Sequence, residues 1–160
     1  MNLIGVAGVY AGVAFAAGFV MGAVRVLVLE PRLGAVAAVV IEGPIMLGVS
    51  YFAARWVVAR WMRDTSRGRR VVMGMVALGM LLLMEFALAG VLAQFAESDV
   101  AGGWIAGFFV KFATAAGVIG AGFQVGFGVM PGVVPGVVPG VVPSEITAVS
   151  KTAKPSQSRG

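Results

Sequence analysis

The sequence contains no cysteine and no histidine, and it has few charged residues. Without these side chains it cannot build thiolate or imidazole metal sites, histidine-ligated haem, or Cys–His and Ser–His nucleophiles. Charged residues make up 12% of the 160 residues, whereas 59% are hydrophobic and the mean hydropathy is +0.97. So little charge cannot cover the surface of a soluble domain of this size. The composition therefore predicts an integral membrane protein without a cofactor, and it argues against an enzyme.

Four long apolar runs account for most of the chain, and each is long enough to cross a bilayer as a helix. Their predicted ranges are about 3–29, 33–60, 71–95 and 101–130. The sequence thus predicts an all-α fold, a four-helix transmembrane bundle over residues 1–130. A PGVV repeat over 131–143 is predicted to be a linker, because proline at every fourth position is incompatible with a helix. The polar residues 144–160 are predicted to form a disordered cytoplasmic tail.

Arginine is concentrated after the second apolar run, where a single acid, Asp64, accompanies five basic residues. These are Arg60, Arg63, Arg67, Arg69 and Arg70. The positive-inside rule makes this loop cytoplasmic, and four crossings then put both termini in the cytoplasm. The loop Glu97-Ser98-Asp99 has no basic residue and is assigned to the outer side, although Arg25 and Arg32 give a weaker opposite bias there. The net charge of +5 is therefore attributed to membrane orientation and not to nucleic-acid binding.

Two prolines shape the first half of the chain. Pro31 is predicted to end the first helix, and the short connection through Arg32 makes the first two helices antiparallel neighbours. Pro44 lies inside the second helix and removes the hydrogen bond to the Val40 carbonyl, so a kink is expected there.

Four ionisable residues interrupt the apolar runs: Arg25, Glu42, Glu85 and Lys111. At about 1.5 Å per residue from the outer helix ends, the last three lie near the middle of a bilayer, with Arg25 above them. A charge facing lipid is costly, so we expect these side chains to face the bundle interior, with Glu42 beside Arg25 or Lys111.

Two interpretations of these four residues stay open. A charge-balanced cluster that fixes helix register would suit a small structural or accessory membrane protein. A proton or ion relay would instead indicate a small transporter or channel. The small-residue pairs Gly103/Gly107 and Gly122/Gly126 allow close helix approach, so the predicted partners are the lipid bilayer and a second copy or another membrane protein.

The segment RVLVLEPRLG at 25–34, followed by IEGPIML at 41–47 and AARW at 53–56, resembles a group of small bacterial inner-membrane proteins. That group has four predicted helices and no established activity. The resemblance covers roughly residues 15–95 and implies a bacterial inner membrane as the location. It also implies that five residues belong to a pattern shared with that group, although it assigns them no chemical role. These are Arg25, Pro31, Arg32, Glu42 and Pro44.

Overall fold

The computed structural model describes residues 2–95 and 103–135, and all regular secondary structure in these two ranges is helical. Four helices are long and apolar enough to cross a membrane, and a fifth is shorter. In chain order they are α1 Leu3–Leu33, α2 Ala35–Trp61, α3 Arg67–Ala93, the short α4 Gly103–Ala113, and α5 Ala115–Val133. The predicted all-α class with four long apolar helices is confirmed. The loop at 97–99, the repeat beyond residue 135 and the tail at 144–160 lie outside the described residues.

The first helix continues past Pro31, so the break predicted at that proline is wrong. α1 is α-helical over Leu3–Val24, π-helical over Arg25–Leu29 and α-helical again over Glu30–Leu33. The π-helical turn is wider, and it precedes a proline that has no N–H to donate. The chain turns instead at Gly34, whose φ of +80° is readily adopted only by glycine. α1 and α2 pack against each other as the predicted hairpin.

The second and third long helices differ from the prediction mainly in their bounds. α2 stays helical through Pro44. α3 begins at Arg67, four residues before the predicted start at 71, because arginine is a good helix former and Arg70 is buried rather than solvated.

The predicted fourth helix over 101–130 is not continuous. α4 ends in a 3-10 turn at Lys111–Ala113, and Thr114 then takes an extended backbone with φ −85° and ψ 155°. The Thr114 hydroxyl donates to the Lys111 carbonyl at 2.7 Å and accepts the Gly117 amide at 3.0 Å. Thr114 is therefore the N-cap of a new helix, α5.

α5 runs to Val133, three residues into the region predicted to be a linker. Pro131 lies inside this helix and is fully buried. A proline cannot bond to the carbonyl four residues earlier, which is that of Phe127. The hydroxyl of Tyr10 on α1 donates to this carbonyl at 3.0 Å, and it lies 3.4 Å from the Ser50 carbonyl on α2. A side chain from another helix thus replaces the hydrogen bond that Pro131 cannot make.

The core lies between α1, α2, α3 and α5 and consists largely of small side chains. Tyr10 is completely buried and its ring stacks on that of Phe127, with centroids 4.4 Å apart and planes 9° apart. A Cβ on Gly74 of α3 would overlap the carbonyl oxygen of Gly128 on α5, so these two backbones touch. The remaining buried residues around Tyr10 include Ala7, Ala11, Ala14, Ala53, Ala54 and Ala77. Packing this close brings polar side chains on different helices within reach of one another.

Candidate functional site

Arg25 contacts two carboxylates. Its Nη1 donates to Oε2 of Glu42 on α2 at 3.1 Å. Its Nε lies 3.2 Å from Oε1 of Glu30, an ion pair by distance that lacks hydrogen-bond alignment. The π-helical turn explains the second contact, because i to i+5 bonding aligns Glu30 with Arg25 on one side of α1. Of the two partners expected for Glu42, Arg25 or Lys111, the side chain contacts Arg25, and it is only 13% exposed.

Glu85 on α3 is held by two other helices. Its Oε1 accepts from Nε2 of Gln124 on α5 at 2.8 Å. Its Oε2 lies 3.8 Å from Nζ of Lys111 on α4, whose side chain is 48% exposed. The Lys111 ammonium also lies 4.1 Å from the ring centroid of Phe108 and 5.0 Å from that of Phe112. These aromatic faces stabilise the cation where the chain leaves it partly uncovered.

The four predicted residues therefore form two groups, one around Arg25 and one around Glu85. Neighbouring residues of α5 connect the groups: the Phe123 ring covers Gly43, next to Glu42, and Gln124 bonds to Glu85. All five helices contribute to what we call the polar cluster, which consists of Arg25, Glu30, Glu42, Glu85, Lys111 and Gln124.

Two members of the polar cluster were missed by sequence reasoning. Glu30 lies just beyond the predicted first helix, and no local pattern marks the π-helical turn that brings it back to Arg25. Gln124 could have been recognised as a candidate, since it is a single amide side chain in a glycine-rich apolar run. With Glu30 included, three carboxylates face two cations. One negative charge is therefore uncompensated when all five groups are ionised.

The three hairpin and kink residues do not join the polar cluster as side-chain partners. Arg32 lies in the last turn of α1 and, within ranges 2–95 and 103–135, forms no ion pair. Its charge there still complements the partial negative charge of a helix C-terminus. Pro31 follows Glu30 directly, and Pro44 lies two residues after Glu42, so both are near cluster residues in the sequence.

The chemistry open to the polar cluster is that of carboxylates held by cations and an amide. Within the described residues, no three acidic side chains are grouped so that they could hold a metal ion. Paired carboxylates can fix the relative positions of helices, and a carboxylate in excess can bind a proton. Comparison with known protein families, with curated proteins and with solved structures found no match to this chain.

Proposed function

We propose that the chain is a small multi-pass protein of a bacterial cytoplasmic membrane. Four helices of sufficient length and hydropathy support this, as does the amount of apolar surface left uncovered. Large side chains such as Leu27, Phe52 and Leu83 are each more than two-thirds exposed. Exposed apolar surface of this extent is unfavourable in water, whereas lipid tails would cover it. The arginines at 60–70, where α2 ends and α3 begins, favour a cytoplasmic location for that end and for both termini.

We further propose a structural or accessory role for the protein, as a homo-oligomer or as a subunit beside another membrane protein. The observation that carries this role is that the polar cluster links every helix to another. Arg25–Glu42 joins α1 to α2, Lys111–Glu85 joins α4 to α3, and Gln124 adds α5. Such pairs are costly to break and so specify which helices are neighbours.

The oligomer can be tested cleanly because the chain has no cysteine. A Cβ at Gly122 would meet no atom within 4 Å, so Gly122→Cys would present a thiol on the outer face of the predicted small-residue pair. We expect G122C to form disulfide-linked dimers in native membranes when an added oxidant such as copper phenanthroline accepts the two electrons. The matched control is Leu27→Cys on α1, at a residue that is 75% exposed. Equal cross-linking of both variants would indicate random collision and contradict a homo-oligomer through this face.

A second candidate function is transport of protons or small cations, and two features of the polar cluster favour it. The cluster holds one carboxylate more than it has cations, so it can accept a positive charge. The helix interruption at Thr114 lies next to Lys111, and transporters often build ion sites where membrane helices are interrupted. π-helical turns such as that at Arg25 are likewise frequent at functional sites.

Liposome flux separates the two functions. If the protein conducts, the wild type should dissipate a proton or sodium gradient, and Glu42→Gln should abolish flux while keeping side-chain shape. Arg32→Gln is the matched control, because it removes a charge outside the polar cluster. Absence of flux from wild-type protein that is folded and inserted would eliminate transport and leave the structural role.

A further inference from the structure

The end of α2, the following turn and the first turn of α3 span residues 60–70, which we call the α2–α3 connection, and its positive charge is not neutralised by ion pairs among the described residues. Arg60, Arg63, Arg67 and Arg69 are exposed there beside a single acid, Asp64. None of these five residues takes part in an ion pair within the described ranges. Four to eight basic residues directly beside a membrane helix are typical of proteins that bind acidic lipids, and each contributes about 1 kcal/mol near an anionic surface.

Arg70 fixes the shape of this connection. Its side chain is buried, with the residue 4% exposed, although no carboxylate among the described residues balances its charge. Nη2 donates to the Arg63 carbonyl at 2.9 Å, and Nη1 lies 3.5 Å from the Val134 carbonyl beyond α5. Its Nε has no hydrogen-bond partner in the described part of the chain. Arg70 thus ties the α2–α3 connection to the end of α5 and leaves its neighbour Arg69 at the surface.

A cavity of about 180 Å³ opens beside Arg69, between the start of α1, the end of α2 and the start of α3. Its walls are Leu3, Val6, Trp61, Met62, Thr65 and Arg69. We call it the α1–α3 cavity. Most of the surface that opens into the cavity is polar, and Arg69 and Thr65 bring a guanidinium and a hydroxyl to it. Val6 and Met62 are buried, whereas Leu3 and Trp61 are partly exposed. The lining therefore suits the phosphate group of a lipid more than its acyl chains.

The start of α3, next to the cavity residue Thr65, also favours an anion. Ser66 is the N-cap, but its side chain makes no capping hydrogen bond, so the first-turn amides keep their capacity to donate. A helix N-terminus also carries partial positive charge that favours an anion. Trp61 packs edge-to-face on Trp56, with centroids 5.2 Å apart, and tryptophan is enriched where membrane helices meet the interface.

We propose that the α1–α3 cavity binds the phosphate group of an acidic phospholipid. Arg69 and Thr65 donate to the phosphate, and the partly exposed side chains of Leu3 and Trp61 contact the glycerol and first methylenes. This proposal rests on the membrane location proposed above, but not on either function proposed for the polar cluster.

The test uses the full-length protein in nanodiscs of phosphatidylcholine, with phosphatidylglycerol added in steps. Wild-type protein should gain thermal stability with saturation at a low mole fraction of phosphatidylglycerol. Arg69→Gln should weaken the apparent affinity by more than about tenfold, because it removes a direct charge-assisted hydrogen bond as well as a nearby charge. The matched control is Arg67→Gln, which removes the same charge from the same connection but does not line the cavity, and it should weaken affinity by no more than about fivefold, the effect of one nearby charge.

Each other outcome contradicts a defined part of the proposal. Equal losses for Arg67→Gln and Arg69→Gln would mean a diffuse electrostatic effect and no discrete site. The same saturable stabilisation by millimolar inorganic phosphate, without preference for phosphatidylglycerol, would make the ligand a free anion. A protein that stays soluble without detergent would overturn the membrane location itself. Insensitivity to phosphatidylglycerol in an inserted, folded protein would overturn only the lipid site.

Discussion

At the scale of single residues, Tyr10 and Pro131 depend on each other. The Tyr10 hydroxyl supplies the hydrogen bond that Pro131 cannot give to the Phe127 carbonyl. Removing it by Tyr10→Phe leaves a buried carbonyl without its donor and should cost about 1–3 kcal/mol of stability. The unfolding midpoint of purified protein in detergent measures this cost.

The control for this prediction is the same substitution in a Pro131→Ala background. An alanine at 131 has an N–H that can bond to the Phe127 carbonyl, so Tyr10→Phe should cost clearly less there. An equal cost in both backgrounds would show that the hydroxyl matters through Ser50 or through packing, and not through the proline.

Glu30 and Glu42 should each partly compensate for loss of the other, because both contact Arg25. Breaking a buried ion pair usually costs about 3–5 kcal/mol, since the remaining charge is left alone. After Glu42→Ala, however, Arg25 still has Glu30, so the single substitution should cost less than this range. The double variant Glu30→Gln with Glu42→Ala should lose the full ~3–5 kcal/mol of stability. Its cost should therefore exceed the sum of the costs of the two single substitutions. Simple additivity in chemical unfolding would contradict a shared site.

At the scale of helices, hydropathy was sufficient to predict four long apolar helices. Counting along them left Arg25 or Lys111 as the expected partner of Glu42, because a fixed rise per residue gives only a level along each helix. The choice of Arg25 depends on how the helices pack. The helix ends depended on contacts that local sequence does not display. α1 passes Pro31 through a π-helical turn, and α5 passes Pro131 because a tyrosine more than 100 residues away bonds to Phe127.

The break between α4 and α5 has a local cause that can be tested. Thr114 caps α5 through its hydroxyl, and a threonine cap is worth about 0.5–2 kcal/mol relative to alanine. Thr114→Ala should therefore lower the unfolding midpoint, whereas Thr114→Ser keeps the hydroxyl and should stay close to wild type. If alanine proved as stable as threonine, α4 and α5 would be able to join into the continuous helix that the apolar run suggested.

At the scale of the whole molecule, orientation depends on how the arginines are distributed between the two ends. In the sequence alone, Arg25 and Arg32 oppose the assignment made from the α2–α3 connection. The structure weakens that opposition, because Arg25 is paired with Glu30 and Glu42 and contributes little net charge. One unpaired arginine, Arg32, then remains at this end, whereas Arg63, Arg67 and Arg69 are exposed at the other end.

This imbalance predicts that the α2–α3 connection lies in the cytoplasm. Reporter fusions after Arg67 and at the C-terminus should report the cytoplasm, and a fusion near Ser98 should report the outer side. Freeing Arg25 by the double substitution Glu30→Gln and Glu42→Gln should then add positive charge to the outer end and yield some inverted molecules. The matched comparison is Glu85→Gln, which frees Lys111 deeper in the bundle and should leave orientation unchanged. Reversed reporters on the wild-type protein would overturn the orientation and, with it, the cytoplasmic location of the α1–α3 cavity.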